Sequence, residues 1–322
     1  MSKIARLFFI SFFLSAVYSS AFGVSSLGCF GAAFLELPVP GLGYGLTKQW
    51  DKMISFGLVR HGAIIKASEG FNSEYYQKPD QIYVQRDAEE SNSGKYETDV
   101  YLNRETWEAR FYSSINFDLL LTTWGDMYLN DCENNVATYH SLAAPVDFPH
   151  FYKKWMFWAP ISLLVYNHMT FDQYSEVNYF LGRGLTRNQL ERESYAQYYL
   201  VGVGEEMFFR GTIQTAIFRL MRDDWDIHPR WSRHLSILSA ASIFGAAHSG
   251  TGFSADSIQA FLYGVYQGYV FHPSLDEFDL TTAIAIHSWW DIIIAYTILS
   301  HAEFHETDSR VEVPLLQIGF MF

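Results

Sequence analysis

The sequence predicts an all-α fold, a multi-pass integral membrane bundle of helices with a polar extramembrane insertion. Apolar stretches close to the ~20 residues that a helix needs to cross a bilayer recur along the chain. Only 18% of the residues are charged, against about 25% in a typical soluble domain. Another 18% are aromatic, and tryptophans beside lysines are typical of a lipid–water boundary. We therefore expect roughly six to eight membrane segments.

The first 21 residues form a signal-like segment. A short positive stretch, MSKIAR, precedes the apolar LFFISFFLSAV, and small residues then end at Ala21. This pattern is typical of a signal that directs a chain to a membrane. Cleavage after Ala21 and retention as an anchor both stay open, because apolar sequence resumes at once.

Residues 22–152 are predicted to be an N-terminal envelope region with a membrane hairpin. Apolar stretches at 26–46 and 52–67 flank LPVPGLGYG, whose prolines and glycines interrupt a helix. The acidic residues 68–104 form the predicted extramembrane insertion, in which YETDVYL favours a strand. A helix is expected over 107–129 and a proline-containing loop over 132–152.

Residues 153–300 have the strongest membrane character. A polar link, TRNQLERES, precedes four apolar segments, at about 194–221, 235–249, 256–272 and 279–300. The arginine-rich loop RLMRDDWDIHPRWSRH is expected in the cytoplasm, because cytoplasmic loops carry an excess of Lys and Arg. Residues 301–322 form the C-terminal tail, in which VEVPLLQIGFMF is predicted to be strand-like or irregular and His301, Glu303 and His305 lie at a solvated helix end.

Charge and cysteine content exclude several function classes. The net charge of −13 and the lack of a basic stripe argue against nucleic-acid binding. The two cysteines, Cys29 and Cys132, are too few for a disulfide framework and lack zinc-site spacing. Cys29 is predicted to be an ordinary small buried residue.

Three ionisable residues lie within the apolar stretch VGVGEEMFFRGTIQTAIF, residues 201–218. At 100° per residue, Glu206 and Arg210 lie on one helix face and can pair, whereas Glu205 points about a quarter turn away. Glu205 is therefore left free to move protons. Small residues at Gly202, Gly204 and Gly211 allow a neighbouring helix to approach closely.

Two further sets follow at helical spacing. His248 ends FGAAH, one turn after Phe244, and HSWWD places His287 and Asp291 one turn apart. Each set alone is compatible with an ion pair or hydrogen bond between packed helices. Together they place ionisable residues inside three apolar helices, where such groups are costly and mark functional sites. If the three helices pack so that these side chains meet in a water-accessible cavity, the side chains could activate water and stabilise an oxyanion.

The ordered trio EEMFFR, FGAAH and HSWWD matches EExxxR, FxxxH and HxxxN/D. It resembles the CAAX protease and bacteriocin-processing family of intramembrane proteases (CPBP, or Abi), which includes the type II CAAX prenyl endopeptidases. The resemblance covers about residues 155–300. It implies a helical membrane protease, here expected in the cell inner membrane, that acts on a membrane-associated protein or peptide.

The resemblance also implies roles for the residues. Glu205 would activate water together with His248, Glu206 and Arg210 would support the site, and His287 with Asp291 would stabilise the oxyanion. The prenyl proteases have Asn where this chain has Asp291. An ionised Asp cannot donate a hydrogen bond, so Asp291 would donate only when protonated, or would orient His287 instead. The cofactor is left open between none and Zn²⁺.

Two other functions are compatible with the residues. A non-catalytic membrane scaffold or chaperone would keep the polar site for packing or ligand binding. An ion or proton transporter would use the buried carboxylates, but the polar sets lack a second, repeat-related half.

Overall fold

Helices form most of the protein, as the sequence predicts, and a small sheet joins several of them. The computed structural model describes residues 24–76, 80–84, 96–130, 137–169, 175–248 and 255–307. The signal-like segment 1–21 and residues 308–322 of the tail lie outside the described residues. In chain order the α-helices are α1 (Val24–Leu35), α2 (Leu42–Leu46), α3 (Trp50–Phe71), α4 (Arg104–Leu129), α5 (Ala137–Ala143), α6 (Phe148–Phe151), α7 (Trp155–Met169), α8 (Arg187–Glu206), α9 (Thr215–Arg219), α10 (Pro229–His248), α11 (Ala255–Phe271) and α12 (Leu280–His301).

The sequence places the long apolar helices well and misplaces several polar boundaries. The TRNQLERES segment is not a link, because its Thr186 caps α8 by accepting a hydrogen bond from the Gln189 amide at 3.2 Å. The predicted loop 132–152 contains α5, a short 3₁₀ turn and α6. Helix α12 ends at His301, so the predicted solvated helix end is wrong for Glu303 and His305, which lie in a strand.

A four-stranded sheet is the main departure from the all-α prediction. Its strands are β1 (Asp80–Val84), β2 (Tyr96–Leu102), β3 (Ser175–Gly182) and β4 (Glu303–Thr307), adjacent in that order. Strands β1 and β2 are antiparallel, whereas β2–β3 and β3–β4 are parallel. Strand β2 is the YETDVYL strand that the sequence predicts; β3 and β4 were not predicted, because their pairing joins segments distant in sequence.

The sheet holds three helices in place. Val100 and Leu181 from the sheet share one hydrophobic cluster with Trp107 of α4, Leu190 of α8 and Leu299 of α12. Strands β2 and β3 lead into α4 and α8, and α12 leads into β4. The sheet therefore fixes the mutual register of the helices that carry most of the polar residues described below.

The N-terminal hairpin has polar residues inside and apolar residues outside. In α3, Lys52 and Arg60 are fully buried, while Leu58 is 70% exposed and Ile65 is 57% exposed. This arrangement is typical of helices that face lipid, where ionisable groups point into the bundle. Cys29 is buried, as predicted, but it is also disulfide-bonded, which the sequence did not indicate.

Within the described residues, α12 is long and apolar enough to cross a membrane by length and composition, and it is the one helix that meets this test. Helix α3 contains five charged residues, of which Lys52 and Arg60 are fully buried. A composition test does not distinguish a charge facing the bundle from a charge facing lipid.

Asp279 anchors the start of α12. Its carboxylate accepts hydrogen bonds from the Thr282 amide at 3.1 Å, from Lys154 Nζ at 2.5 Å and from the His150 ring. Burial pushes the pKa of Asp279 up, but these donors outweigh it and hold the pKa below its usual range. Since its pKa is depressed, this carboxylate stabilises the fold above its unfolded pKa, and the contribution is lost as the pH falls through the folded pKa.

Replacement of Asp279 by Ala should therefore lower the free energy of unfolding at neutral pH by about 1 kcal/mol, the usual cost of losing a helix cap. The loss should be largest near pH 7 and should vanish at acid pH. Thermal unfolding of the purified protein at pH 7 and pH 3 measures both. An equal loss at the two pH values would argue against the ionised cap.

Candidate active site

The structure brings together the three polar sets that the sequence singles out. Glu205 and Glu206 end α8, His248 ends α10, and His287 and Asp291 lie on α12. Their side chains are buried or partly buried, from 0% exposed for Glu206 to 25% for His248. The described side chains therefore converge on one small polar site between packed helices.

Glu206 is the most firmly held carboxylate of the site. Its Oε2 lies 3.2 Å from Arg210 Nε, which is the pair that the spacing predicts. Its Oε1 accepts a hydrogen bond from His287 Nδ1 at 2.6 Å. With a cation on one side and an imidazole on the other, Glu206 fixes the orientation of the His287 ring and leaves Nε2 facing the site.

Arg210 is fixed in turn by α11 and α10. Its Nη2 donates to the Gly264 carbonyl at 3.2 Å, and its guanidinium lies 4.8 Å from the centre of the Phe244 ring. One turn further on, Gln214 Nε2 donates to the Gly268 carbonyl at 3.1 Å. The two hydrogen bonds to the Gly264 and Gly268 carbonyls set the position of α11, whose Tyr263 ring lies 5.3 Å from the His287 ring.

Glu205 lies apart from that network, as its helical position predicts. Its Oε2 is 3.8 Å from His248 Nε2 and 3.8 Å from His287 Nε2. Both distances are too long for direct hydrogen bonds. Within the described residues this buried oxygen has no hydrogen-bond partner. A buried acceptor of this kind calls for a water molecule, and a bridging water fits the spacing.

The two histidines present the same nitrogen to Glu205. His248 Nδ1 lies 2.8 Å from the Phe244 carbonyl, and His287 Nδ1 is bound to Glu206. Because a carbonyl and a carboxylate both accept, Nδ1 carries hydrogen in each ring, an assignment that follows from the partners. Both Nε2 atoms therefore face the space next to Glu205.

Asp291 lies beside the same nitrogen of His287. Its Oδ2 is 3.6 Å from His287 Nε2, and its side chain is 17% exposed. Glu206, not Asp291, is the carboxylate that orients the ring through Nδ1. The sequence indicated only Asp291, which lies one turn along the same helix, because Glu206 comes within reach of His287 only once α8 and α12 are packed.

The helix is π-helical directly after the two glutamates. Residues Met207–Gln214 form a π-helix that continues α8 into α9, and Leu220–Asp224 form a second one after α9. The Thr215 hydroxyl donates to the Arg210 carbonyl at 2.9 Å, five residues back. π-Helical turns are rare and occur frequently at functional sites. Nothing in the residue pattern predicts this widening.

Asp118 of α4 is a further buried carboxylate next to the site, and it was not among the predicted site residues. It is 3% exposed, and its backbone carbonyl packs against Gly204, the residue before Glu205. The signal was present in INFDLLLTTWGD, where Asp118 interrupts an apolar helix. The criterion that selects Glu205 would have selected Asp118 as well.

Glycines allow the helices to approach closely at the site, as predicted. A Cβ on Gly202 would lie 2.4 Å from the Ser288 amide nitrogen of α12, and one on Gly204 would lie 2.5 Å from the Asp118 carbonyl of α4. Side chains at these positions would force α8 away from both neighbours. Both glycines lie just before Glu205, so the backbones of α12 and α4 pack closely against α8 directly before this residue.

Replacement of Gly202 by Ala should lower the free energy of unfolding by about 1–3 kcal/mol, the usual cost of overpacking. Gly62→Ala on α3 is the matched control, because a Cβ there meets nothing within 4 Å. Thermal unfolding of both variants in the same detergent measures the difference. Equal stabilities would show that the α8–α12 contact is not tight.

Zinc fits the site by ligand type but not by arrangement. One carboxylate and two imidazoles form a known catalytic zinc set, whose ligand atoms lie about 3.3 Å apart around a tetrahedral ion. The 3.8 Å separations here are wider. No group of three His, Cys, Asp or Glu side chains in the part of the chain that the structure describes is arranged to hold a metal ion.

Comparison with known proteins supports the resemblance. Residues 194–293, a little under a third of the chain, match the family described as type II CAAX prenyl endopeptidase Rce1-like. All three polar sets lie inside this region, whereas Asp118 and the N-terminal helices lie outside it. No curated protein and no solved structure matches the chain.

Proposed function

We propose that this chain is an intramembrane endopeptidase that cleaves a membrane-associated protein or peptide, because residues 194–293 match the type II CAAX prenyl endopeptidase Rce1-like family. The family is membrane-embedded, and its members are proteases. The finer proposal is a multi-pass protein of the cell inner membrane in which Glu205 and histidine activate water. The observation that supports this mechanism is the position of Glu205 between the imidazoles of His248 and His287.

The proposed nucleophile is a water molecule held by Glu205, His248 and His287. Glu205 Oε2 lies 3.8 Å from each Nε2, a spacing that one bridging water can fill. Glu205 takes a proton from this water as its oxygen attacks the scissile carbonyl carbon. Among the described residues, no Ser or Cys side chain is hydrogen-bonded to Glu205 Oε2, which favours water over a covalent intermediate.

The oxyanion is proposed to form next to His287. Because Nδ1 donates to Glu206, a protonated His287 has Nε2–H available for the developing negative charge. When the tetrahedral intermediate collapses, the C–N bond breaks, and the proton held by Glu205 passes to the amine leaving group. Asp291, at 3.6 Å from Nε2, would stabilise the imidazolium rather than donate to the oxyanion.

The membrane setting is supported by burial. Five of the six site side chains predicted from the sequence are less than 20% exposed, and the surrounding helices have apolar outer surfaces. Arg210, at 1% exposed, is neutralised by Glu206 rather than by solvent. Ionisable side chains of membrane helices usually face the bundle interior or a water-filled cavity, and the burial of these side chains matches that pattern.

Comparison of membrane peptidomes from cells that carry wild-type protein or Glu205→Ala tests the proposal. We expect peptides that depend on the wild-type protein and are absent with the variant. Purified protein should then cleave a synthetic peptide spanning the mapped site, and a farnesylated CAAX peptide tests whether a prenyl group is required. Identical peptidomes, with both proteins folded in the membrane, would favour the non-catalytic scaffold.

Removal of metal ions should leave hydrolysis unchanged, because the proposed steps need only protein side chains and water. Purified protein dialysed against EDTA and assayed on the mapped peptide provides the measurement. A loss of more than tenfold that Zn²⁺ restores would contradict the metal-free mechanism.

A further inference from the structure

We propose that Arg210, Gln214 and Gln267 enclose an internal water site between the π-helix and α11, separate from the water that Glu205 activates. Ordered water at this site completes the hydrogen bonds of all three side chains. The binding of water can be tested without any substrate. Only its consequence for hydrolysis rests on the proposed function.

The three side chains meet at one turn of α11. Arg210 Nη2 donates to the Gly264 carbonyl at 3.2 Å. Gln214 Nε2 donates to the Gly268 carbonyl at 3.1 Å, and its Oε1 lies 3.0 Å from where a Cβ of residue 268 would be. Gln267 lies between these two glycines in the sequence. Because residues four apart lie on one side of a helix, Arg210 and Gln214 face α11 one above the other.

Each of these side chains has one buried polar atom that lacks a hydrogen-bond partner among the described residues. The atoms are Arg210 Nη1, Gln214 Oε1 and Gln267 Oε1. The three residues are at most 1% exposed, so bulk solvent does not satisfy these atoms. Buried polar groups without hydrogen bonds are costly, and three at one place favour a ligand that pairs with them.

The unpaired atoms do not depend on how the two amide groups are oriented. Gln214 faces a carbonyl, which only accepts, so Nε2 must donate there and Oε1 is the atom left over. Gln267 contacts the Tyr263 hydroxyl at 2.7 Å, and either atom of its amide can make that bond. Both orientations leave the other amide atom of Gln267 without a partner in the described part of the chain.

Water is the ligand that matches this set of atoms. The guanidinium nitrogen donates, the Gln214 oxygen accepts, and a water molecule does both. A buried water typically has about three polar neighbours, which is the arrangement found here. A metal cation is disfavoured because the guanidinium repels it, and an anion is disfavoured because Glu206 already neutralises Arg210.

Arg210 connects the internal water site to the catalytic groups. Its Nε lies 3.2 Å from Glu206 Oε2, and the other oxygen of Glu206 accepts from His287 Nδ1. Water bound to Nη1 therefore helps to hold the guanidinium in the position that fixes Glu206 and, through it, the His287 ring. Gln214 acts on the same guanidinium only through this water, so it is a positioning residue.

A high-resolution density map of the purified full-length protein tests the site directly. We expect an ordered water within hydrogen-bonding distance of Arg210 Nη1 and of at least one of the two glutamine side chains. A map in which protein atoms fill this position, or in which it is dry, would overturn the proposal.

Paired substitutions measure whether Gln214 and Gln267 share this water. Met is close to Gln in size and forms only weak hydrogen bonds, so Gln214→Met and Gln267→Met remove polar contacts without opening a cavity. Each variant should lower the thermal unfolding temperature. The double variant should lower it by clearly less than the sum, because the second substitution acts on water that the first has displaced. Additive losses would overturn the shared site.

Ile213→Val and Val270→Ala form the matched control pair on the same two elements. Ile213 of the π-helix and Val270 of α11 are buried in separate hydrophobic clusters. Their effects on the unfolding temperature should therefore add. Coupling as strong in this pair as in the glutamine pair would show that any substitutions at this helix contact couple, and the inference of shared water would be wrong.

Kinetics give the catalytic consequence. With the mapped peptide, Gln214→Met should lower kcat by about 10-fold at constant KM, as expected when the support of a catalytic group is lost. Val270→Ala should leave kcat unchanged. An unchanged kcat in Gln214→Met, with an active wild type, would refute the link from the water to Glu206. A wild type that shows the ordered water and cleaves nothing would refute the proposed function and support the water site.

Discussion

We expect the Glu205→Gln protein to fold normally and to hydrolyse no substrate. The amide keeps the size of the carboxylate but cannot take a proton from water, so general-base catalysis is lost. The expected fall in kcat is at least about 10³-fold, within the range for removal of a catalytic base. Hydrolysis of the mapped peptide by purified wild-type and variant protein provides the measurement.

Glu206→Gln is the control that distinguishes the two glutamates. Glu206 is fully buried between Arg210 and His287, whereas Glu205 is 19% exposed and makes no contact shorter than 3.8 Å to either histidine. The Glu206 variant should lose both stability and activity, because Arg210 is left without its anion. The Glu205 variant should lose activity alone. Full activity in Glu205→Gln would refute the mechanism.

The second large effect is expected at the N-terminal hairpin, where Arg60→Met should lower the free energy of unfolding by about 3–5 kcal/mol. The carboxylate of Glu36 is fully buried and accepts from Arg60 Nη1 at 2.9 Å and from the Gly41 amide at 2.8 Å. Without the guanidinium, that carboxylate remains buried with a net charge. The hairpin should then separate from α4, so that water can reach the carboxylate of Glu36.

Lys66→Met on the same helix is the matched control. Lys66 also pairs with a glutamate, Glu69 at 2.6 Å, but both side chains are more than half exposed. Exposed pairs contribute little to stability, so this variant should unfold at the wild-type temperature. Thermal unfolding in detergent compares the two. Equal effects would show that burial of the Arg60 pair is not what stabilises the hairpin.

Local patterns predicted which segments are helical and which polar residues belong together. Apolar segments placed α4, α11 and α12 to within three residues, whereas α10 begins at Pro229, six residues before its predicted start and inside the predicted arginine-rich loop. Helical spacing alone predicted that Glu206 pairs with Arg210 and that Glu205 does not. These are properties of a single helix, so they follow from 100° per residue without any knowledge of the neighbouring elements.

Contacts between segments that are distant in sequence could not be predicted from the sequence. The sheet joins β2, β3 and β4 across gaps filled by long helices, so the local pattern that indicated β2 does not reveal its partners β3 and β4. The same limit applies to Asp118. Its residue type was visible, but its proximity to Glu205 depends on the contact between Gly204 and α4.

The sequence by itself determined the identity of the polar sets, because ionisable residues in apolar helices are rare and their spacing fixes which share a face. Only the tertiary structure decided how those sets meet. Packing placed Glu206 against the Nδ1 of His287, left Glu205 facing two imidazoles, and brought Asp118 of α4, a helix outside the matched region, against Gly204. The physical reason is that helical periodicity is local, whereas electrostatic contacts at a site depend on distances between helices that only close packing defines.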